Sequence, residues 1–596
     1  MNEFNTYENL AKTYDTSWSG FFGLSGSSKN IQSNKLKDAP QSIFFGNFSV
    51  TYLSRSRSSP SCSTASTTST PSTSSSEGAS LPTHIGSAFR AAIVSKYGDS
   101  VAAAMDTQFS LSTATQLSEK QISKIIKAVS SPTLPARLNQ GTWSIINKTI
   151  SSADSGLQGD YHSAMVATTE ILSSSYEADG VKGVCSRDYK NEKHSINAWS
   201  DTLKSADGRT LFACARSGVM AVLDPIKQES TFDARLNENI LTALYARGKL
   251  PTEGNNENNP IQLSLVDIGL VSNYEWSLGE GKIQTAQFDL VSKANGKMRS
   301  ISYTPPGATE SITIHVMPQI RAVNIGTQVG DSLYNPNQAQ SDAAIKLIFK
   351  EVETKLPHME KAAAQLWTWS DKPDQSMLDS DNPSNLIDQG IGDSKESNAL
   401  LLAYLSELKT APPANSESLK QAFQRKSLEL RVTKELHAQC EEMQSQRIYD
   451  TENEGDYCAF HARFNLLCYK TDITPMDHCK SGNNRTSRAV EETKFLAAEI
   501  DDKITTRLQA NKDPSPVKKI SQLVPTSGKL SAERQKTGAA FFLGMGTQEM
   551  QKVNSGREGS REYHNVAKRI PLHPDTIQKY RGVYSSLKLR YTVSNF

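Results

Sequence analysis

An α+β fold is expected, with a mixed sheet and long helices preceded by a mainly helical N-terminal domain and a disordered N-terminus. Three observations predict it. First, 17 of the 23 residues from Ser54 to Ser76 are Ser or Thr, a composition with too little apolar surface to offset the entropy of ordering. Second, from about Pro82 apolar residues recur at helical spacing: Ile85, Phe89, Ile93 and Tyr97 lie at steps of four, and Ser118 with Gln121 opens SEKQISKIIKAV like a capping box. Third, past TEGNNENNP (252–260) come segments that alternate or are β-branched, namely IQLSLVDIGLVS, KIQTAQFDLVS, KMRSISYT and SITIHVMPQIRAVNIG. Asn295-Gly296 fits a hairpin turn between two of these strands. Long helices are expected at about 340–369, 396–410 and 416–447. The domains read as 1–82 disordered, 83–255 mainly helical and 256–596 mixed. Upstream of the Ser-rich stretch, Phe21, Phe22, Phe44 and Phe45 supply a few aromatic anchors that suit docking on a partner.

The bulk numbers exclude several classes. A chain of 596 residues is long enough for about three or four domains, so core size is no obstacle. With 65 Lys+Arg against 63 Asp+Glu the net charge is +2. No whole-molecule field draws the chain to nucleic acid or an anionic bilayer, and an anionic partner needs a local site. Seven cysteines, an odd number without C-x-x-C spacing, favour a reduced compartment over a disulfide scaffold or a zinc site. The polar start MNEFNTYENLAKTYDTSW lacks the basic and apolar regions of a Sec signal, and no stretch of 18 apolar residues is present. Any membrane contact is therefore expected to be peripheral.

One motif carries chemistry: His478-Cys479-Lys480-Ser481-Gly482-Asn483-Asn484-Arg485-Thr486-Ser487. No other cysteine of the chain has an arginine six positions later. The bare pair is a weak signal, and the histidine, central glycine and threonine around it make it a strong one. A five-residue loop between a strand and a helix turns successive N–H groups inward and forms an anion nest at the positive helix end. Gly482 permits the sharp turn. Arg485 offers a planar fork to two phosphate oxygens and to charge developing in a transition state. The same donors depress the thiol of Cys479, which then serves as a thiolate nucleophile toward phosphorus, giving a phosphocysteine that water hydrolyses. Thr486 donates its hydroxyl to the sulfur. Lys480, Ser481, Gly482, Asn483, Asn484 and Thr486 form the substrate-binding set, with Cys479 and Arg485 as the catalytic pair.

Downstream, EETKFLAAEIDDKITTRL places Phe495, Ala498, Ile500 and Ile504 on a helical stripe, and Glu491 and Glu492 suit the first turn. Upstream, TDITPMDHC offers a poor strand, with Pro475 between the apolar Ile473 and Met476. A lone histidine in such a place is more often a hydrogen-bonded support than a proton carrier, so His478 is assigned to holding the loop. The pairs His437/Cys440 and Cys458/His461 lack further ligand partners and are assigned to core or surface. No metal or other cofactor is expected.

The loop CKSGNNRT resembles the CKSGKDRT signature of the SopB/IpgD family of type III secretion inositol-phosphate phosphatases and of eukaryotic inositol polyphosphate 4-phosphatases. VNIGTQV (323–329) is similar to that family's NFGVNE element, keeping Asn324 and Gly326 while Gln328-Val329 replace Asn-Glu. EMQKVNSGREGSREY (549–563) resembles its Gln-x-x-Asn-Thr-Gly-x-x-Gly segment at Asn554, Gly556 and Gly559, and RSGVMAVL (216–223) carries a fainter likeness. The motif order agrees over about 210–590. The resemblance implies a secreted virulence effector that removes phosphate from phosphoinositides or inositol polyphosphates through Cys479 and Arg485, with Asn324 and Gly326 in support. It further implies delivery into the host cell, peripheral membrane contact, a Rho-family GTPase bound by the N-terminal helical region, and a secretion chaperone.

The departures fall in the loop. Asn483 and Asn484 stand where the family has Lys and Asp, and Ser487 replaces Gly. Loss of the lysine removes a charge for a neighbouring ring phosphate and leaves Lys480 as the loop's one lysine. An asparagine cannot protonate a leaving oxygen, and general acid catalysis contributes about 10²–10⁴-fold. Asp472 and Asp477 are nearby in sequence. Two further readings therefore stand beside the active phosphatase: a catalytically impaired GTPase- or membrane-binding module, and a phosphoprotein phosphatase sharing the Cys-x-x-Gly-x-x-Arg-Thr pattern.

Overall fold

The computed structural model describes residues 41–45, 48–52, 103, 106, 144–181, 194–271, 280–325, 338–373, 378, 395–410, 413–446, 457–510, 522–526 and 532–555. The chain divides into two compact units, 20–133 and 1–19 with 134–596. In the first, β1 (Gln41–Phe45) and β2 (Phe48–Tyr52) pair antiparallel, and Ala103 and Asp106 are helical. The helix expected from Ile85 to Tyr97 and the capping box at Ser118 lie outside the described residues.

The second unit is built on one eight-stranded mixed sheet. In chain order its elements are β3 (Ile145–Ile150), α1 (Ser152–Ser155), β4 (Tyr161–Ala167), α2 (Thr168–Ile171), α3 (Ser173–Ala178), β5 (Trp199–Ser205), β6 (Thr210–Gly218) and α4 (Gln228–Ala246). There follow β7 (Ile261–Gly269), α5 (Glu280–Ala294), β8 (Arg299–Tyr303), β9 (Ile312–Asn324), α6 (Gln338–Asp371), α7 (Lys395–Thr410), α8 (Ser416–Ser445) and α9 (Tyr457–Lys470). The last are β10 (Thr474–Cys479), α10 (Arg485–Gln509), α11 (Ala532–Gly544) and α12 (Thr547–Ser555). Strand order is β3-β4-β5-β6-β10-β7-β9-β8. The four central strands β6, β10, β7 and β9 are parallel, and the flanking pairs are antiparallel.

Helices cover both faces, as the buried central strands require. On one face α6, α8, α9 and α10 enclose Phe349, Leu436, Phe464 and Phe495, and on the other α4 and α5 enclose Leu236, Ile240 and Val291. The long helices expected at about 340–369, 396–410 and 416–447 are α6, α7 and α8. No helix among the described residues is long and apolar enough to cross a membrane.

Four expectations are corrected. The described residues of 83–255 are not mainly helical: β3 to β6 lie among them and join the same sheet as β7 to β10. The boundary sought near 252–260 is the link from α4 to β7 inside that unit. KIQTAQFDLVS forms helix α5 rather than a strand, because its buried positions Gly281, Gln284, Phe288 and Val291 follow helical spacing with two glutamines on the inward face. Asn295-Gly296 accordingly ends a helix instead of closing a hairpin, with Gly296 at φ 68 donating its N–H to Pro318 O at 2.8 Å.

β10 is buried at all six positions although its sequence is TPMDHC. Each polar side chain there has a partner: Thr474 accepts from Arg247 Nε at 3.1 Å, Asp477 from His461 and Asn465, and His478 meets Asp267. Pro475 is tolerated because pairing with β6 begins only at Met476.

Candidate active site

The parallel strands end together, and their carboxyl edge is where an α/β sheet opens to a ligand. Cys479 closes β10 opposite Gly218, the last residue of β6, and Val219 N–H donates to Cys479 O at 3.0 Å. The chain then turns, with Gly482 N–H donating to Cys479 O at 3.2 Å, and enters α10 at Arg485. Gly482 has φ 64, and a Cβ there would lie 2.4 Å from Ser217 C and 2.6 Å from Gly218 N. Only glycine fits, since both the left-handed backbone and the contact with a neighbouring backbone forbid a side chain. Asn484 sits at the N-cap without capping, so the first-turn amides of α10 keep their donors for another acceptor.

Burial opposes ionisation of Cys479, yet its thiol lies below the ordinary range because the Arg485 guanidinium, the Thr486 hydroxyl and the amides of Thr486 and Ser481 all favour the thiolate. The contrast with Cys214, Cys440 and Cys468 is direct: each is pushed up, with desolvation the leading cause. Arg485 is half-buried, and its Nη2 donates to both oxygens of Glu280 at 3.1 and 3.0 Å. Glu280 opens α5 and balances the guanidinium charge beside the loop. The arrangement gathers a lowered thiol, a planar cation and helix-end amides, a set chemically suited to an anionic group.

The expected loop residues fall into two sets. Lys480, Ser481, Asn484 and Arg485 are half-buried, while Gly482, Asn483 and Thr486 are buried. Asn483 is held by α12: its Oδ1 accepts from Asn554 Nδ2 at 3.3 Å, and Asn554 Oδ1 in turn accepts from Trp199 Nε1 at 2.8 Å. His478 supports the loop through Asp267, 3.2 Å from its Nε2, and Gln287 Nε2 donates to the same Asp267 oxygen at 3.0 Å. Burial pulls the His478 imidazole down, but Asp267 outweighs it and holds it above its usual value. Asn324 lies at the end of β9 and clamps the chain leaving β7, donating Nδ2 to Val271 O at 3.1 Å. Gly326, Gln328, Val329, Gly556 and Gly559 lie outside the described residues.

The carboxylates considered for acid chemistry are elsewhere. Asp477 is fully buried below the loop, accepting from Asn465 Nδ2 at 2.9 Å and lying 2.7 Å from His461 Nε2. Asp472 is exposed at the opposite end of β10 and pairs with Arg247 and Lys249. Of the two His/Cys pairs, His461 thus faces Asp477, and His437 lies 3.3 Å from Glu441 on α8.

Sequence reasoning missed Asn197, Glu280, Asp267 and the structural part of Arg216. Asn197 Nδ2 donates to Ser481 O at 2.8 Å, and Arg216 Nη2 donates to Gly482 O at 3.1 Å. Only Arg216 left a trace, in the RSGVMAVL likeness. The others come from segments up to 284 residues away in the chain, and no local spacing marks them.

With this geometry in place, comparisons with known proteins place the chain. The family model described as "Enterobacterial virulence protein IpgD" matches residues 101–329. The inositol phosphate phosphatase IpgD of Shigella sonnei is 22% identical over 464 residues, covering 76% of this chain and 70% of the relative, and that of Shigella flexneri is 21% identical over the same length. Among solved structures, the Legionella phosphoinositide phosphatase SidF aligns with a TM-score of 0.48 at 12% identity, covering 80% of this chain and 86% of that one. Another Legionella phosphoinositide phosphatase structure aligns with a TM-score of 0.47 at 12% identity. Over residues 101–329, which include β3 to β9, and over the longer alignments, the chain is thus similar to the IpgD proteins at low identity.

Proposed function

We propose that the protein is an effector phosphatase that removes phosphate from phosphoinositides or inositol polyphosphates, with Cys479 as nucleophile. The observation that carries this reading is the loop geometry: Cys479 ends β10, Gly482 turns against the Ser217–Gly218 backbone, and Arg485 opens α10 beside the thiol, whose ionisation it favours. The similarity to the inositol phosphate phosphatases IpgD suggests the substrate class. The Cys479 thiolate attacks phosphorus, the S–P bond forms as the P–O bond to the inositol breaks, and the oxygen leaves with the electron pair of that bond. Arg485 and the inward amides hold the equatorial oxygens while charge builds on them. Water then attacks the phosphocysteine, releasing phosphate and the thiolate. Delivery into host cells, and contacts with a Rho-family GTPase, a secretion chaperone and the membrane surface, rest on the family resemblance.

The test is phosphate release across a panel of inositol phospholipids, soluble inositol phosphates and phosphopeptides, for the wild type and Cys479→Ser. Release from the inositol compounds that vanishes in the variant is expected. Undiminished release from the variant overturns the nucleophile, and release confined to phosphopeptides overturns the substrate class.

A second reading, a catalytically impaired module, is favoured by Asn484, whose side chain supplies no proton where the family has an acid. Asn484→Asp separates the two. If the acid has been lost, turnover rises by about 10²-fold or more and the pH profile gains a limb; an unchanged rate places the acid elsewhere.

A further inference from the structure

We infer that Arg216, acting with Ser487, is the positioning residue that presets the phosphate-binding loop. This inference rests on the phosphatase reading and adds a residue to its machinery. In a trans peptide the N–H points opposite to the C=O, so fixing a carbonyl on one side of a loop aims the next amide to the other. Arg216 Nη2 takes Gly482 O at 3.1 Å, which aims the N–H of Asn483 away from the protein interior. Ser487 hydroxyl donates to Asn483 O, and Gln551 Nε2 reaches the same oxygen at 3.5 Å, which aims the N–H of Asn484 likewise. The two grips are one device, because Arg216 Nη2 also donates to Ser487 Oγ at 2.6 Å.

The device is built into the core. Arg216 is 1% exposed and lies on β6, with Nη1 3.3 Å from Asp201 on β5. Asp201 also pairs with Lys494 on α10, and Lys494 Nζ donates to Ser163 Oγ on β4 at 2.8 Å. One buried chain therefore links β4, β5, β6, the loop and the helix that follows it. The Arg216 guanidinium is engaged by Gly482 O, Ser487 Oγ and Asp201, so its part is orientation of the loop's amides. Ser487, which stands where the family signature has glycine, is the hydroxyl that joins the two carbonyl grips.

The test measures binding of tungstate, a phosphate-like oxyanion, by calorimetry in the full chain carrying Cys479→Ser, alone and combined with Arg216→Met, Arg216→Lys or Ser487→Ala. Turnover of the same changes with Cys479 intact and melting temperatures are measured beside it. Expected is a loss of about tenfold or more in tungstate affinity for Arg216→Met and Ser487→Ala, with a fall in kcat larger than any rise in KM. Arg216→Lys, which keeps one donor, is expected to recover part of the loss. The alkylation pH profile of Cys479 is expected to stay put. If Arg216→Met does not fold, Ser487→Ala carries the same test, since it removes a hydroxyl and leaves Arg216 paired with Asp201. Tungstate affinity equal to that of the parent in Ser487→Ala, or a loss only in step with melting temperature, overturns the inference. A parent that neither binds tungstate nor, with Cys479 intact, releases phosphate overturns the phosphatase reading instead.

Discussion

Gly482 and Cys479 set the requirements of the site at the scale of single residues. A side chain at 482 meets Ser217 and Gly218 backbone at under 3 Å in a left-handed conformation, which costs about 1–2 kcal/mol before the clash is counted. Gly482→Ala is therefore expected to abolish activity and to lower the melting temperature; wild-type turnover and melting in that variant would refute the loop geometry. For Cys479 the sign is fixed by the lowered thiol: iodoacetamide modification of its peptide, followed by mass spectrometry, is expected to rise with pH around a midpoint below the ordinary thiol value of about 8.5. A midpoint at or above that value would mean that burial prevails over Arg485 and Thr486. These residues were legible in the sequence because their chemistry is written within ten positions. Glu280, Asn197 and Asp267 were not, since the sheet brings them to the loop from separate strands and helices.

At the scale of elements, β10 and α5 explain why part of the architecture was hidden. β10 carries Pro475, Asp477 and His478 in a fully buried strand, a pattern that reads as poor until their partners on α9 and β7 are placed. α5 turns Glu280, Gln284 and Gln287 inward. A polar buried face erases the apolar periodicity by which helices are recognised. The long helices α6 to α8 bury ordinary apolar stripes and were read correctly. The His478–Asp267 contact makes a pH-dependent contribution to this layer. Its imidazole is held above 6.5, so the pair's stabilisation is fully present below the unfolded value and is lost as pH rises through the folded one. The melting-temperature gap between wild type and His478→Gln is thus expected to be wider at about pH 6 than at about pH 9. An invariant gap would show that the pair adds no ionic stabilisation.

At the scale of the whole molecule, the proposed function has a near-neutral chain concentrate anion recognition in one loop, and that loop depends on both halves of the sheet. β6 and β7 flank β10, so the segment 145–218 and the segment 261–509 make one structure. A fragment starting at 256 strips one neighbour from β10 and removes Arg216 and Asp201. It is expected to lack the cooperative melting of the full chain, and a folded, active fragment would restore the separate-domain arrangement expected from hydropathy. The central claim concerns the thiolate of Cys479, and rapid quenching during turnover of an inositol phosphate substrate, followed by peptide mass spectrometry, addresses it most directly. Phosphate carried on the peptide at Cys479 is predicted, and is absent from Cys479→Ser; substrate consumed without any phosphate on that cysteine, at an undiminished rate in the variant, would contradict it.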